Sequence, residues 1–374
     1  MPAIEISAAD IARAHAAGKG VVKHTPVTAS AALSDQTGGD IVLKAENMQR
    51  TGSFKIRGAM SKLSALGDLA KTGVTAGSAG NHAQALAFAA RTFGVPCEIF
   101  VPKNAPIAKI AACRAYGATV VEGGDSLDEA VAAARARATE KGMQFCHPYD
   151  DAVVVAGQAT LGLELIIDIP NLRRVLVPLG GGGLASGVAI AVKQHDPTIK
   201  VIGVQVEACA PYANSAPPTG PVFTLADGIA VKKPGEITRP LIEKWLDDIV
   251  VVDEDAVADD WRARGLGGGE GFVAFAVEGN EEAAEIDAFH RGSDRRHDDL
   301  GNEAVDDFSE GRTDDHADGE VDDISTGDEF TEFLGDFHLR GVKTESCGLP
   351  KKKRAGLCPG QPMIWRRFPV MRPS

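Results

Sequence analysis

Between residues 75 and 260 the chain alternates strand-like and helix-like segments at a short, regular period, and this alternation limits the fold more than any other feature. Ser78-Ala79-Gly80-Asn81-His82 opens an Ala-rich helix that runs to about Thr92. Residues 97–101 read as a strand, 107–116 as a helix stopped by Gly117, and 118–122 as a strand. Ser126 N-caps a long helix through Glu140. A short strand at 144–146, a helix at 156–167, a buried strand at 174–178, a helix at 184–194 and strands at 200–206 and 249–252 complete the series. Repeated β-α units of this length imply parallel sheets with right-handed crossovers. Apolar residues make up 44% of the 374 residues and aromatics only 5%, so the core is built of Ala, Val, Leu and Ile. That suits an α/β protein of two or three packed units with helices on both sheet faces.

Several classes are disfavoured. The six cysteines are scattered with no CxxC pair, which argues against a disulfide framework or zinc site and makes the cytoplasm the expected compartment. No apolar run is long enough for a membrane span, and the first residues lack the order of a signal peptide. The net charge of −13 comes from one segment: residues 281–330 hold 19 acidic and 4 basic side chains. The rest is close to neutral, so no nucleic-acid partner is expected. Residues 281–330 also lack apolar anchors and read as disordered. Lys351-Lys352-Lys353-Arg354 reads as a solvated basic tail.

Three segments carry candidate chemistry. Lys55 stands in Thr51-Gly52-Ser53-Phe54-Lys55-Ile56-Arg57-Gly58-Ala59, just after the strand-like run Ile41-Val42-Leu43-Lys44. Small and apolar neighbours are poor company for a surface charge, and burial lowers a lysine pKa toward the nucleophilic amine that forms imines. A solvated loop lysine is the alternative. In Ser78-Ala79-Gly80-Asn81-His82 small residues precede a helix, whose first amides favour a carboxylate or phosphate. Asn81 offers a donor to a phenolic oxygen, and His82 is either a carboxylate ligand or an ordinary helix-start histidine. Leu179-Gly180-Gly181-Gly182-Gly183-Leu184 lies between strand and helix, where backbone amides can wrap a phosphate. It is neither a GxGxxG nor a Walker loop, so NAD and ATP are disfavoured. A glycine-rich turn without a ligand is the alternative.

The segments SFKIRGA, SAGNHAQ and PLGGGGL, in this order and spacing, resemble the fold-type II pyridoxal-phosphate enzymes, above all the threonine ammonia-lyase (threonine dehydratase) and serine racemase family. The resemblance runs from about residue 7 to about 259 and includes His24-Thr25-Pro26, Pro148-Tyr149-Asp150-Asp151, Gly157-Gln158-Ala159-Thr160 and Leu225-Ala226-Asp227-Gly228. It implies a two-domain α/β fold with parallel-rich twisted sheets: a large domain from 1–45 and 146–260, a small domain from 46–145, and an atypical tail from 261–374. It also implies pyridoxal 5'-phosphate as cofactor, held by Lys55 through a Schiff base. Phe54 would pack near the ring, Asn81 would bond its phenolic oxygen, and Gly180, Gly181, Gly182 and Gly183 would bind its phosphate. Ser78, Asn81 and His82 would receive the substrate carboxylate. The partners expected are a small amino-acid substrate and further copies of the chain, with neither nucleic acid nor membrane.

The implied reaction is β-elimination. Lys55 takes the Cα proton, the β-hydroxyl leaves, and threonine yields 2-oxobutanoate and ammonia; serine yields pyruvate. A serine racemase/dehydratase is the alternative. Racemases of the family carry a serine where this chain has Ala79, and an alanine transfers no proton. They also bind a divalent metal through a Glu and a nearby Asp. Glu207 matches the first, but residues 208–213 supply no second carboxylate, so no metal is expected. Beyond residue 260 the family pattern breaks, and residues 261–374 contain no Ser-Gly-Gly-Asn, the segment whose serine approaches the cofactor's ring nitrogen in the family. A reading-frame shift near residue 260 accounts for the break; a divergent tail is the alternative. A shifted frame would leave an inactive or weakly cofactor-binding product.

Overall fold

The computed structural model describes residues 4–214, 218, 222–257 and 275–278. The acidic segment 281–330, the basic tail and the family break after 260 lie outside the described residues, except for one strand. The elements are α1 (Ala8–Gly18), β1 (Val27–Ala29), α2 (Ala31–Thr37), β2 (Asp40–Lys44), α3 (Lys55–Leu66), β3 (Val74–Gly77), α4 (Asn81–Phe93), β4 (Cys97–Val101), α5 (Ile107–Ala115), β5 (Thr119–Glu122), α6 (Leu127–Lys141), β6 (Gln144–Phe145), α7 (Ala152–Asp168), β7 (Leu172–Pro178), α8 (Gly183–His195), β8 (Lys200–Val206), α9 (Thr238–Trp245), β9 (Asp248–Val252) and β10 (Phe275–Glu278). Among the described residues no helix is long and apolar enough to cross a membrane.

The strands form two sheets. One has the order β5-β4-β3-β6 and is parallel throughout. Its core joins Ile56, Met60 and Leu63 of α3 to the alanines and Leu86 of α4, with Val74, Ile99 and Ile110. Phe100, Ala130 and Ala134 close a smaller cluster with α6. The other sheet has the order β1-β2-β10-β7-β8-β9. β7, β8 and β9 are parallel, as the β-α repeat predicts. β1 is antiparallel to β2, and β10 is antiparallel to both β2 and β7, so this sheet is mixed. The repeat ends before residue 260, and so it gave no sign of β10.

Helix α7 is buried along most of its length, from Val154 to Ile166, and its sequence is accordingly apolar apart from Gln158, Thr160 and Glu164. It begins at Ala152, earlier than its apolar run suggests, because the Asp151 carboxylate accepts from the amides of Val153 and Val154. α7 meets α3 backbone to backbone. A Cβ on Gly157 would stand 2.5 Å from Gly58 Cα and 2.7 Å from Arg57 O. Gly157→Ala is therefore expected to cost about 1–3 kcal/mol through overpacking, read as a lower urea midpoint with an unchanged slope.

Candidate functional site

Three segments are brought together on one loop. Ser78–Gly80 leads β3 into α4, residues 179–182 lead β7 into α8, and Lys55 opens α3. Openings beyond the carboxyl ends of parallel strands are where α/β folds bind ligands. The segment that joins the three is the stretch from Cys146 to Asp150, between β6 and α7.

Lys55 is not in a loop: it is the first residue of α3, and its partly buried amine donates to Pro148 O at 3.0 Å. The amine also sits 5.0 Å from the Phe54 ring centroid. Burial pulls its pKa from 10.5 down to about 8. The unfolded chain binds this proton more tightly, so Lys55 adds to stability as pH rises from about 8 toward 10.5. The amine's reaction with an aldehyde is expected to speed up with pH and level off above about 8; lysine modification across a pH series, read by peptide mass spectrometry, checks this.

His82 is buried, and its Nε2 donates to Cys146 O at 2.9 Å. Burial first, then the charge of Lys55, push its pKa down to about 3, so the ring is neutral. What it offers an anion is its backbone amide in the first turn of α4. Ser78 Oγ accepts from Gly80 N at 3.3 Å and shapes the turn before Asn81.

The glycine loop is closely backed. A Cβ on Gly181 would strike the Tyr149 ring, and one on Gly183 would lie 3.0 Å from Tyr149 Cα. Gly182 has φ +91°, a conformation that glycine adopts without strain. Gly180 is pressed against Ile229, 2.9 Å from where its Cβ would stand. Gly181 O accepts from Thr238 Oγ1 at 2.7 Å and from Tyr212 OH at 3.0 Å. Gln205, wholly buried, donates to Leu179 O and accepts from the amides of Tyr212 and Ala213. Asp150 accepts from the amides of Glu236, Ile237 and Thr238, which holds Thr238 in place. Tyr149 and Asp150 stood in the sequence only as part of a segment shared with the family; Tyr212 and Thr238 gave no signal, and Gln205 gave one as a polar residue inside the apolar strand β8.

Behind Lys55 lies a buried ionic cluster. Arg57 bonds Glu46 through Nε at 2.8 Å and Nη2 at 2.7 Å, and Glu164 through Nη1 at 2.6 Å and Nη2 at 2.9 Å. Lys44 pairs with Glu164 at 2.7 Å and Asp168 at 2.8 Å, and His24 Nε2 lies 2.7 Å from Asp168. Thr25 Oγ1 donates to Glu46 at 2.5 Å.

The residues present fit pyridoxal phosphate. An amine titrating near 8 faces the loop between β6 and α7, and that loop packs on a four-glycine helix start suited to a phosphate. Among the described residues, the buried hydroxyls of Thr51, Ser53 and Ser186, which flank the lysine and the glycine loop in sequence, have no hydrogen-bond partner.

Comparison with known proteins agrees. The family described as "Pyridoxal-phosphate dependent enzyme" matches residues 19–271. The L-threonine ammonia-lyase of Thermotoga maritima is 47% identical over 260 residues, which are 68% of this chain and 65% of that protein. The chain thus spans just under two thirds of that relative's length. A solved threonine deaminase, from T.th., superposes with a TM-score of 0.65 at 39% identity, covering 69% of this chain and 85% of that one. Maize serine racemase also superposes with a TM-score of 0.65, at 32% identity over 69% of this chain and 80% of its own. The chain belongs to the pyridoxal-phosphate dependent enzymes.

Proposed function

We propose that the chain catalyses β-elimination of L-threonine, and of L-serine, releasing ammonia with 2-oxobutanoate or pyruvate. One observation carries the reading: three separated motifs meet on one short loop. Pro148 O holds Lys55, Tyr149 lies against Gly181 and Gly183, and Cys146 O holds His82. Pyridoxal phosphate, held by Lys55, supplies an electron sink for the Cα electrons. Gly180–Gly183 bind its phosphate with backbone amides, Phe54 packs beside its ring, and Asn81 donates to its phenolic oxygen. The Ser78–His82 turn takes the substrate carboxylate, with His82 contributing its amide while its neutral ring stays on Cys146. Lys55, poised near neutrality, moves the Cα proton. Ala79 supports elimination over racemisation, because it offers no proton to the opposite face. The two sheets serve as the cores of the small and large domains, and the chain acts in the cytoplasm as a homo-oligomer. The four described cysteines are free thiols, in keeping with that compartment.

A second reading, a chain that binds the cofactor weakly or not at all, rests on the break in the family pattern: residues 261–374 contain no Ser-Gly-Gly-Asn. Purified chain incubated with pyridoxal phosphate should gain the visible absorbance of lysine-bound cofactor and then form 2-oxo acid from L-threonine. No visible band would favour the second reading, and serine racemisation faster than elimination would overturn the role given to Ala79.

A further inference from the structure

His147 takes no part in the proposed reaction, yet it is the middle of a stack that reaches from α6 to the glycine loop. The Arg135 guanidinium lies 4.2 Å from the Phe145 ring centroid. Phe145 meets His147 edge-on at 6.2 Å, and His147 meets Tyr149 edge-on at 4.6 Å. Tyr149 in turn covers Gly181. The imidazole is also bonded to the main chain. Its Nδ1 lies 2.8 Å from Asp150 N and 3.3 Å from Tyr149 N, and both amides donate to it. A ring nitrogen that accepts carries no proton, so the neutral ring holds its hydrogen on Nε2.

These two bonds close the turn at residues 147–150, and each remaining residue of that turn makes a contact with the site. Pro148 O takes the Lys55 amine, Tyr149 rests on the glycine loop, and Asp150 gathers the amides that seat Thr238. We propose that His147 is a positioning residue: its Nδ1 locks the turn that sets the Lys55 amine against the glycine loop. The inference rests on the reading of Lys55 as the cofactor lysine. Burial, more than the nearby Arg135 and Lys55 charges, pushes the His147 pKa down to about 4, so the lock stays unprotonated across the neutral range.

An asparagine can place an acceptor oxygen near the position of Nδ1, whereas leucine fills similar space and accepts nothing. Leaving two backbone amides without an acceptor is costly. His147→Leu should therefore loosen the turn and His147→Asn should preserve it. The full chain is compared in three forms: unaltered, H147L and H147N. Amide exchange at residues 147–151 is read without cofactor, and equilibrium binding of pyridoxal phosphate is read by visible absorbance. H147L is expected to lose exchange protection in the turn, to bind pyridoxal phosphate roughly tenfold or more weakly and to unfold at a lower temperature than H147N. H147N should stay within about threefold of the unaltered chain on the same reasoning. Equal behaviour of the two variants, or unaltered affinity in H147L, overturns the assignment. If Lys55→Ala alone loses the band while both His147 variants bind normally, His147 is not a positioning residue and the cofactor reading stands. Absence of any band in the unaltered chain overturns both.

Discussion

Replacing Lys55 by alanine is expected to abolish the visible band of lysine-bound cofactor and to remove elimination activity while the fold persists. In the proposed function this amine holds the cofactor and moves the Cα proton, and the loss of that proton transfer alone would be worth roughly 10²–10⁴-fold in rate. Structural damage should be small. Among the described residues the side chain makes one hydrogen bond, to Pro148 O, and its amine is held in a charge-disfavouring environment. Removing a desolvated amine relieves that cost, so K55A should be at least as stable as the unaltered chain below about pH 8. Absorbance, 2-oxo acid release and thermal unfolding on the same preparations check all three statements. A variant that lost activity only by unfolding would contradict this account.

Arg57→Met is expected to cost a large part of the chain's stability. Arg57 is 2% exposed and satisfies two carboxylates at once, Glu46 at 1% and Glu164 at 4%. Removing the guanidinium leaves both buried without their main partner, a loss of about 3–5 kcal/mol by comparison with other broken buried pairs. The pH dependence gives the sign. Burial alone would raise the Glu164 pKa, but the Arg57 and Lys44 charges hold it below the ordinary 4.5. Its contribution is therefore present above about 4.5 and is lost as pH falls through the folded value. The gap between R57M and the unaltered chain should be widest near neutrality and shrink in acid, where the carboxylates take up protons. Urea unfolding at several pH values measures it. Because Arg57 lies two residues after Lys55 on α3, R57M should also weaken cofactor capture.

How far the fold could be read from the residues depended on where the signal was local. Ser126 caps α6 by accepting from Glu129 N, a contact within one turn, and the helix begins where its sequence indicates. Helix α3 was harder. Phe54 gives no side-chain cap, Gly58 interrupts the pattern, and the apolar set Ile56, Met60 and Leu63 takes on meaning only against α4 and β3. The lysine, the Ser-Ala-Gly-Asn-His run and the four glycines were legible because each is unusual in itself. Gln205, Tyr212, Thr238 and Asp150 are ordinary residues whose roles arise from partners far along the chain. The charge cluster was hidden for the same reason: Lys44, Glu46, Arg57 and Glu164 look like surface charges until α7 is laid against α3.

Strand β10 also sets an order of assembly. Among the described strands it alone links β2 to β7, and it follows both in the chain. Without β10 the described strands of the larger sheet would fall into two sets, β1-β2 and β7-β8-β9, each with an inner edge of unpaired amides and carbonyls. Such edges recruit strands from other molecules, and pairings this distant in sequence form slowly. The yield of folded protein should therefore depend on how quickly residues 275–278 reach their slot, with crowded or rapid synthesis favouring intermolecular pairing over closure.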